Sequence, residues 1–235
     1  MQKTKPAVSV IIPTLQEEAY IEKILSNLRK IQSPIEIIVV DGGSSDKTVQ
    51  KAKRFANKVY PLKKRGIACG RNYGAKHANG DILIFLDTDV AFPLDFVEKT
   101  RKAFENPAVV GATCNIMPNR FQLGTVAFFI FYNRLLRVTN RVKPHSRGEF
   151  FAVRKTAFTR AKGFDESLPV LEDHEFAHRL SKIGKFAFIS DLTVYESSRR
   201  FRKLGFLRVF SSWLVDYMYF MLRGKPLSKM WRPVR

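Results

Sequence analysis

The sequence predicts an α/β fold in which a mostly parallel central sheet is covered by helices on both faces. Short β-branched runs alternate with helix-period segments over residues 1–113, which is the pattern of parallel strands joined by right-handed crossovers. The strand runs are apolar, as expected where both faces of a sheet are buried. With 235 residues and 45% hydrophobic content, the chain is long enough for one well-buried domain.

The first half predicts its elements in regular alternation. Pro93 suits the first turn of a helix, because the missing N–H of proline would have no partner there. We expect strands at residues 8–12, 35–40, 81–86 and 108–113, with helices at 18–30, 46–55 and from Pro93 onward.

The second half changes character and completes the same unit. It predicts an aromatic helix at 121–139, a strand at 149–153, a helix at 172–183 and short strands within 186–196. We expect residues 1–198 to form one domain with halves 1–113 and 114–198. Residues 199–235 are expected to form a C-terminal amphipathic, basic helical tail.

Positive charge is concentrated in that tail. The whole chain has a formal net charge of +20, and residues 199–235 carry ten cations against one acid, Asp216. This end of the chain should therefore bind anions. Nucleic acid, acidic lipid headgroups and a phosphorylated substrate are the open possibilities.

Two aromatic segments flanked by arginines are too short or too interrupted to cross a membrane. Residues 124–132 are too few, and residues 206–222 contain Arg208 and Asp216. Both fit either a helix lying in a membrane interface or a helix packed on the domain with its basic face in water. The amino-terminal segment lacks the apolar stretch and cleavage site of a signal peptide, so we expect a cytoplasmic protein.

Polar turns follow the first three strands. In open α/β sheets, ligands bind beyond the carboxyl ends of the strands. The turns "PTLQEE", "DGGSSDKT" and "DTD" therefore place five side chains along one rim: Thr14, Glu17, Asp41, Asp87 and Asp89. Each turn alone also has an ordinary explanation, since "DGGSSDKT" suits a tight turn with a capping serine and "DTD" suits a strand end.

The two aspartates of "DTD" are suited to a divalent cation. Mg²⁺ or Mn²⁺ binds through one or two hard protein oxygens plus substrate phosphates. The chain has no Gly-x-x-x-x-Gly-Lys-Ser/Thr loop that would cradle phosphates with its backbone alone. A nucleotide bound here would therefore have its phosphates neutralised by a metal.

A glycine-rich stretch at residues 65–81 reaches the same rim. Each glycine inside a helix costs about 1 kcal/mol relative to alanine, so the close approach of a ligand or a neighbouring chain is expected to compensate. Arg71 would then face the cleft. A surface arginine on a glycine-tolerant helix is the alternative.

Four motifs, in this order, resemble the family-2 inverting glycosyltransferases of the GT-A (Rossmann-like) fold. They are "VSVIIPTLQEE", "EIIVVDGGSSDKT", "GIACGRNYGAKHANGDILIFLDTD" and "GFDESLPVLEDHEFAHRLSKIGKFAFI". The last resembles the Gly-Phe-Asp-Glu…Glu-Asp acceptor segment of that family. Order and spacing of the four together are far more specific than any single motif, and the match covers nearly the whole chain.

The resemblance implies a role for each rim residue. Asp87 and Asp89 would ligate Mg²⁺ or Mn²⁺ on the donor diphosphate, Asp173 matches the general base, and Glu172 beside it is the second catalytic carboxylate. Residues 1–113 would bind the nucleotide sugar and residues 114–198 the acceptor. Nucleotide-sugar binding is implied for Pro13, Thr14, Glu17, Asp41, Arg71, Asp87, Thr88 and Arg200.

Some of these residues have simpler explanations. Glu172 and Asp173 alone would be explained by a helix start, where acids oppose the helix dipole. Arg199 and Arg200 would grip the donor diphosphate or an acceptor phosphate, or form a solvated charge run.

Four positions depart from the family pattern. Leu15 and Gln16 stand where the family commonly has Tyr-Asn, Gly42 replaces a frequent second aspartate, and Glu196 lies close to the place of a frequent metal-binding histidine.

Together these implications predict a metal-dependent inverting glycosyltransferase that moves a sugar from a nucleotide-diphosphate sugar to a lipid-linked or polyprenyl-phosphate acceptor. We expect peripheral contact with the anionic inner face of the cell membrane. The first alternative is the same chemistry on a soluble glycan or protein acceptor. The second is a basic nucleic-acid-binding protein, suggested only by the pI of ≈ 10.2. No stacking platform or reading helix is evident, so we expect no nucleic acid partner.

Overall fold

The structure is a computed structural model that describes residues 8–63, 66–140 and 144–229. The predicted polar start at residues 1–7, Arg65 and residues 230–235 of the predicted tail lie outside the described residues. The described strands are β1 (Val8–Thr14), β2 (Ile35–Asp41), β3 (Lys58–Pro61), β4 (Ile82–Leu86), β5 (Val109–Pro118), β6 (Phe150–Arg154) and β7 (Lys185–Glu196). The described helices are α1 (Ile21–Leu28), α2 (Thr48–Ala52), α3 (Ile67–His77), α4 (Phe96–Glu105), α5 (Leu123–Thr139), α6 (Lys155–Arg160), α7 (Glu172–Ser181), α8 (Arg199–Leu204) and α9 (Phe206–Arg223).

The seven strands form one sheet in the order β3-β2-β1-β4-β6-β5-β7. All pairings are parallel except those of β6, which runs antiparallel to both β4 and β5. The α/β prediction with a mostly parallel sheet is confirmed. Because β6 is reversed, its amino end lies beside the carboxyl ends of the other strands. We call this side of the sheet the polar edge.

Three strands differ from the sequence-based expectation. The strand expected at 108–113 extends to Pro118, and the short strands expected within 186–196 form one strand, β7. The pairing of β5 with β7 shifts register between Cys114 and Asn115, but both strands continue through this irregularity. A local sequence pattern shows such an irregularity as the end of a strand. β3 was not expected, because only Val59 and Tyr60 favour a strand and both are flanked by residues that disfavour one. The segment gains its order by pairing with β2.

Apolar side chains form a core on each face of the sheet. The larger cluster lies under α1, α4, α5, α8 and α9, and the smaller one under α3, α6 and α7. Phe201 and Val209, from the predicted tail, belong to the larger cluster. The beginning of the predicted tail is therefore packed on the sheet. The proposed boundary at residue 198 stays a prediction.

The outer sides of α5 and α9 remain apolar in water. The two helices pack together through Phe128, whose ring lies 5.5 Å from that of Phe206 and 5.2 Å from that of Phe210. Their opposite sides expose large side chains, with Leu207 78% and Leu222 77% exposed. Within the described ranges, every helix is too short or too polar to span a bilayer.

Candidate active site

The turns after β1 and β2 are tied to each other at the polar edge. The backbone N–H of Gln16 donates to Ser44 Oγ at 2.7 Å, and that of Glu17 donates to Thr48 Oγ1 at 2.9 Å. These bonds satisfy backbone donors that no strand or helix pairs, so the two turns form one rigid wall.

Asp41 organises the second turn from within. Its Oδ2 accepts hydrogen bonds from the backbone N–H groups of Gly43 at 3.0 Å and Ser44 at 2.8 Å. In the sheet it pairs with Thr14, whose buried Oγ1 has no hydrogen-bond partner among the described residues. A buried hydroxyl without a partner at a sheet edge is available to a ligand.

Glycines bring α3 unusually close to β1. A Cβ added at Gly74 would lie 2.4 Å from Ile11 Cγ2, and one at Gly70 would lie 3.0 Å from Pro13 Cβ. The predicted close approach is therefore that of a neighbouring strand. It delivers Arg71, which lies between the two glycines on α3, into the interior, where its side chain is 0% exposed. The alternative of a surface arginine is wrong.

Arg71 joins the two halves of the site. Its Nη1 donates to Glu172 Oε1 at 2.7 Å, and its Nη2 donates to Asp87 Oδ1 at 3.2 Å and to the carbonyl of Gly148 at 3.0 Å. Asp87 follows β4, whereas Glu172 is the first residue of α7. A single buried guanidinium therefore fixes the "DTD" turn against the helix that carries Asp173.

The acids around Arg71 have raised pKa values. Burial raises the pKa of Asp87 to about 8. The negative charges of Glu149 and Asp89 add to the rise, and Arg71 only partly compensates for it. Burial and the neighbouring Asp173 raise the pKa of Glu172 to about 7. The pKa of Asp173 rises to about 6, again mainly by burial and against the pull of Arg71. Such groups are typical of sites that exchange protons or bind cations.

Arg199 spans the other side of the edge. It forms a bidentate pair with Glu17, at 3.2 Å from Nη1 to Oε2 and 2.9 Å from Nη2 to Oε1, while its Nε lies 3.0 Å from Asp89 Oδ2. Its guanidinium also lies 4.8 Å from the ring centroid of Tyr20. Burial raises the pKa of Asp89, and Arg199 opposes that rise. The alternative of a purely solvated charge run therefore does not hold for Arg199.

Arg200 is the next residue of α8 and is partly buried. Burial and the positive charge of Arg199 lower its pKa, while Glu196, Asp89 and Glu149 oppose that shift. Thr88 is buried between the two aspartates of the turn. All the nucleotide-sugar residues expected from the sequence therefore lie at or beside the polar edge, and their binding roles remain predictions.

Two further charged residues at this edge were not expected from the sequence. Arg147 Nη2 contacts Glu149 Oε1 at 3.0 Å and Glu196 Oε2 at 2.7 Å. Burial disfavours the ionised form of Glu149, but the positive charge of Arg147 outweighs burial and lowers the pKa of Glu149 to about 2. Burial and the proximity of Glu149 raise the pKa of Glu196 well above its usual range. Glu149 and Glu196 therefore titrate together beside Arg147, which favours their ionised forms, while burial favours their protonated forms.

The chemistry of the edge fits a divalent cation. Asp87 and Asp89 offer hard oxygens. Burial raises their pKa values and the neighbouring acids add to the rise, so a bound cation would favour their ionised forms. The described part of the chain holds no group of three or more His, Cys, Asp or Glu side chains that could bind a metal by themselves. A cation here would take its remaining oxygens from water and donor phosphates, and it would compete with Arg199 for Asp89.

Known proteins resemble this chain in sequence. Residues 9–161 match the model of the family described as Glycosyl transferase family 2. The succinoglycan biosynthesis protein ExoA of Rhizobium meliloti is 26% identical over 213 residues, covering 81% of this chain and 62% of that protein. The dolichol-phosphate mannosyltransferase of Pyrococcus furiosus is 31% identical over 137 residues, covering 55% and 38%. The chain thus spans less than two thirds of either relative.

A solved structure has the same fold. The mannosyltransferase PcManGT from Pyrobaculum calidifontis, in complex with GDP-Man and Mn²⁺, superposes with a TM-score of 0.72 at 24% identity. The superposition covers 90% of this chain and 65% of that one. The GT-A prediction is thereby confirmed.

Proposed function

Because this chain belongs to glycosyltransferase family 2, we propose that it transfers a sugar from a nucleoside-diphosphate sugar to an acceptor with inversion at the anomeric carbon. The observation that carries this proposal is the buried Arg71, which joins Asp87 of the donor side to Glu172 at the start of α7. That junction holds Asp173, the next residue, at the same edge as the "DTD" turn. Donor and acceptor chemistry thus share one cleft.

The donor binds along the wall formed by the first two turns. Asp41 and the unpaired hydroxyl of Thr14 face the base and ribose, with Pro13 and Glu17 beside them. The diphosphate lies toward Asp89, where Arg199 and Arg200 supply positive charge. The GDP-Man and Mn²⁺ bound to PcManGT support a nucleoside-diphosphate sugar and a divalent cation as the ligands of this cleft.

Asp173 acts as the general base for a hydroxyl acceptor. Its carboxylate takes the acceptor proton while the acceptor oxygen bonds to the anomeric carbon, and the bond from that carbon to the diphosphate oxygen breaks on the opposite face. A bound Mg²⁺ or Mn²⁺ would offset the negative charge that grows on the diphosphate. A pKa of about 6 keeps Asp173 basic and largely ionised at neutral pH. A phosphate acceptor needs no base, and Asp173 then positions it.

The acceptor is lipid-linked, and the enzyme works in contact with the inner face of the cell membrane. Exposed apolar side chains on α5 and α9 combine with the cations of residues 199–229, which is the composition of an interfacial surface. The relative from Pyrococcus furiosus is named for dolichol phosphate, a lipid phosphate, which supports the same acceptor class here.

A single experiment tests the core of this proposal. Thermal unfolding is followed with UDP-, GDP- and dTDP-sugars, with and without Mn²⁺, since a ligand that binds only the native state raises the melting temperature. We expect one donor to raise it further when Mn²⁺ is present, and that donor to be hydrolysed or transferred with inversion. Equal, metal-independent shifts with all donors and no turnover would overturn the proposal.

A further inference from the structure

A second cavity lies at the end of the sheet opposite the polar edge. It has a volume of about 490 Å³ and is bounded by the carboxyl ends of α5 and α7 and the first residues of β7. Glu196, at the other end of β7, belongs to the polar edge. At roughly 3.3 Å per residue, the two sites are on the order of 30 Å apart. The cavity therefore has no part in the proposed transfer.

The described lining of this cavity is basic. Arg137 and Lys185 contribute exposed side chains, and no acidic residue is present in the lining that the structure describes. The guanidinium of Arg137 lies 5.5 Å from the ring centroid of Phe188, an arrangement that holds it over an apolar surface. Neither cation pairs with a carboxylate among the described residues. Both are available to an anion.

Asn140 supplies a buried donor to the same cavity. The residue is 8% exposed, and its Oδ1 accepts a hydrogen bond from the backbone N–H of His145 at 2.9 Å. That bond fixes the orientation of the amide. The opposite atom, Nδ2, is buried and has no hydrogen-bond partner among the described residues. Buried donors are nearly always paired in folded proteins, so this atom indicates a missing acceptor.

We propose that this cavity binds a phosphoester anion between Asn140, Arg137 and Lys185. A phosphate oxygen offers the acceptor that Asn140 Nδ2 lacks, and the planar guanidinium of Arg137 is suited to two further phosphate oxygens. Lys185, an exposed residue of the lining, adds a point charge. The cavity is large enough for a phosphate that carries a short organic group.

The surface next to the cavity identifies a phospholipid headgroup as the source of that phosphate. Phe131, Leu135 and Val138 are exposed on α5 at spacings of four and three residues, so they form one apolar stripe. α5 begins next to the polar edge and ends at the cavity. A bilayer in contact with the stripe would present its phosphates to Arg137 and its acyl region to the stripe.

The test compares two kinds of phosphate source across matched variants of the full chain. Asn140→Asp keeps the acceptor for His145 and replaces the unpaired donor with a negatively charged oxygen. Arg137→Ala/Lys185→Ala removes both cations. The control, Lys23→Ala/Arg160→Ala, removes one lysine and one arginine that are exposed on α1 and α6. Each protein is checked for its melting temperature and for donor hydrolysis, which should not change.

Binding is measured by co-sedimentation with phosphatidylcholine vesicles, with and without phosphatidylglycerol, and by titration with glycerol 3-phosphate. We expect phosphatidylglycerol to strengthen vesicle binding of the parent protein. We expect a loss of about fivefold for each cation removed at the cavity. Asn140→Asp should weaken both vesicle and glycerol 3-phosphate binding about tenfold, and the control should match the parent.

Two outcomes would overturn the inference in different ways. Equal losses in the control and the cavity variants would show that diffuse charge alone attracts the vesicles, and no phosphoester site would remain. Binding of glycerol 3-phosphate without any effect of phosphatidylglycerol would exclude a lipid as the source. Neither result bears on transfer at the polar edge, which is read separately from donor hydrolysis.

Discussion

The polar edge buries and pairs its charged side chains, whereas the outer face of α5 and α9 exposes large apolar side chains to water. At the edge, buried acids and arginines hold one another, and Arg71 alone makes three hydrogen bonds without any exposure. On the outer face, more than three quarters of the surface of Leu207 and of Leu222 is exposed to solvent. The fold of the chain preorganises the polar edge, whereas the exposed apolar side chains of α5 and α9 would leave water only on contact with an apolar partner.

The largest expected effect comes from breaking the polar edge at its centre. Arg71→Met should lower the free energy of unfolding by about 3–5 kcal/mol, because Glu172 and Asp87 would lose their buried partner. Urea denaturation measures this change. Arg71→Lys, which keeps the charge but not the forked geometry, should lose less. A loss below about 1 kcal/mol in the methionine variant would mean that the edge does not depend on this residue.

Asp173→Asn tests the chemistry of the edge without disturbing its structure. With a hydroxyl acceptor, turnover should fall about 10²–10⁴-fold, since the base is removed, while the donor-induced rise in melting temperature is kept. Glu175→Gln on the same helix is the control, because Glu175 pairs with Arg179. With a phosphate acceptor the loss should be much smaller. Loss of donor binding in Asp173→Asn would contradict the assigned role.

Asp89→Asn tests whether the edge holds a metal. We expect it to remove the Mn²⁺-dependent part of the donor-induced thermal shift, which at a hundredfold excess over Kd corresponds to about 2.7 kcal/mol. Asp95→Asn, a change at a more exposed acid that pairs with Lys99, is the control. Arg199→Ala should strengthen Mn²⁺ binding in the absence of donor, because Arg199 no longer competes for Asp89. Unchanged Mn²⁺ binding in both variants would place the cation elsewhere.

The dependence of activity on pH tests whether Asp173 at the polar edge acts as the general base. Burial raises the pKa of Asp173 to about 6, and only its ionised form accepts a proton. For a hydroxyl acceptor, kcat/KM should therefore rise about tenfold per pH unit below 6 and level off above it. A pH profile from 4.5 to 8 checks this, after correction for any change in folding. A profile that is flat through about pH 6 would remove Asp173 as the base.

The smallest effect on stability is expected on the outer face. Leu207→Ser/Leu222→Ser should change the free energy of unfolding by no more than about 0.5 kcal/mol, because neither side chain is buried. The same variant should weaken binding to anionic vesicles, whereas Leu94→Ser, an exposed leucine outside α5 and α9, should not. Marked destabilisation without any loss of vesicle binding would show that the face is structural.

Short-range patterns predicted the first half of the molecule well. Strand runs at 8–12, 35–40 and 81–86 correspond to β1, β2 and β4, and the turns that follow them all reach the polar edge. The glycines at 70 and 74 predicted a close approach that proved to be α3 against β1. These features depend on residues near one another in sequence, where periodicity and turn chemistry determine the outcome.

Arg147 and Glu149 show what such patterns leave out. Both precede β6, and in a sheet assumed to be parallel they would lie at the edge opposite the aspartates. β6 runs antiparallel to β4, with Leu86 paired to Phe150, so its amino end meets the polar edge. No local feature records this reversal, because strand direction is set by pairing between segments far apart in the chain.

The sequence by itself determined the alternating strands and helices, the polar turns after β1, β2 and β4, and the family to which the chain belongs. The tertiary structure alone decided which charges meet: Arg71 with Glu172 across 101 positions, and Arg199 with Glu17 across 182. Hydrophobic periodicity acts over a few residues and fixes the elements. Ion pairs act over a few ångströms in space, so their partners are settled only when the sheet has brought distant segments together.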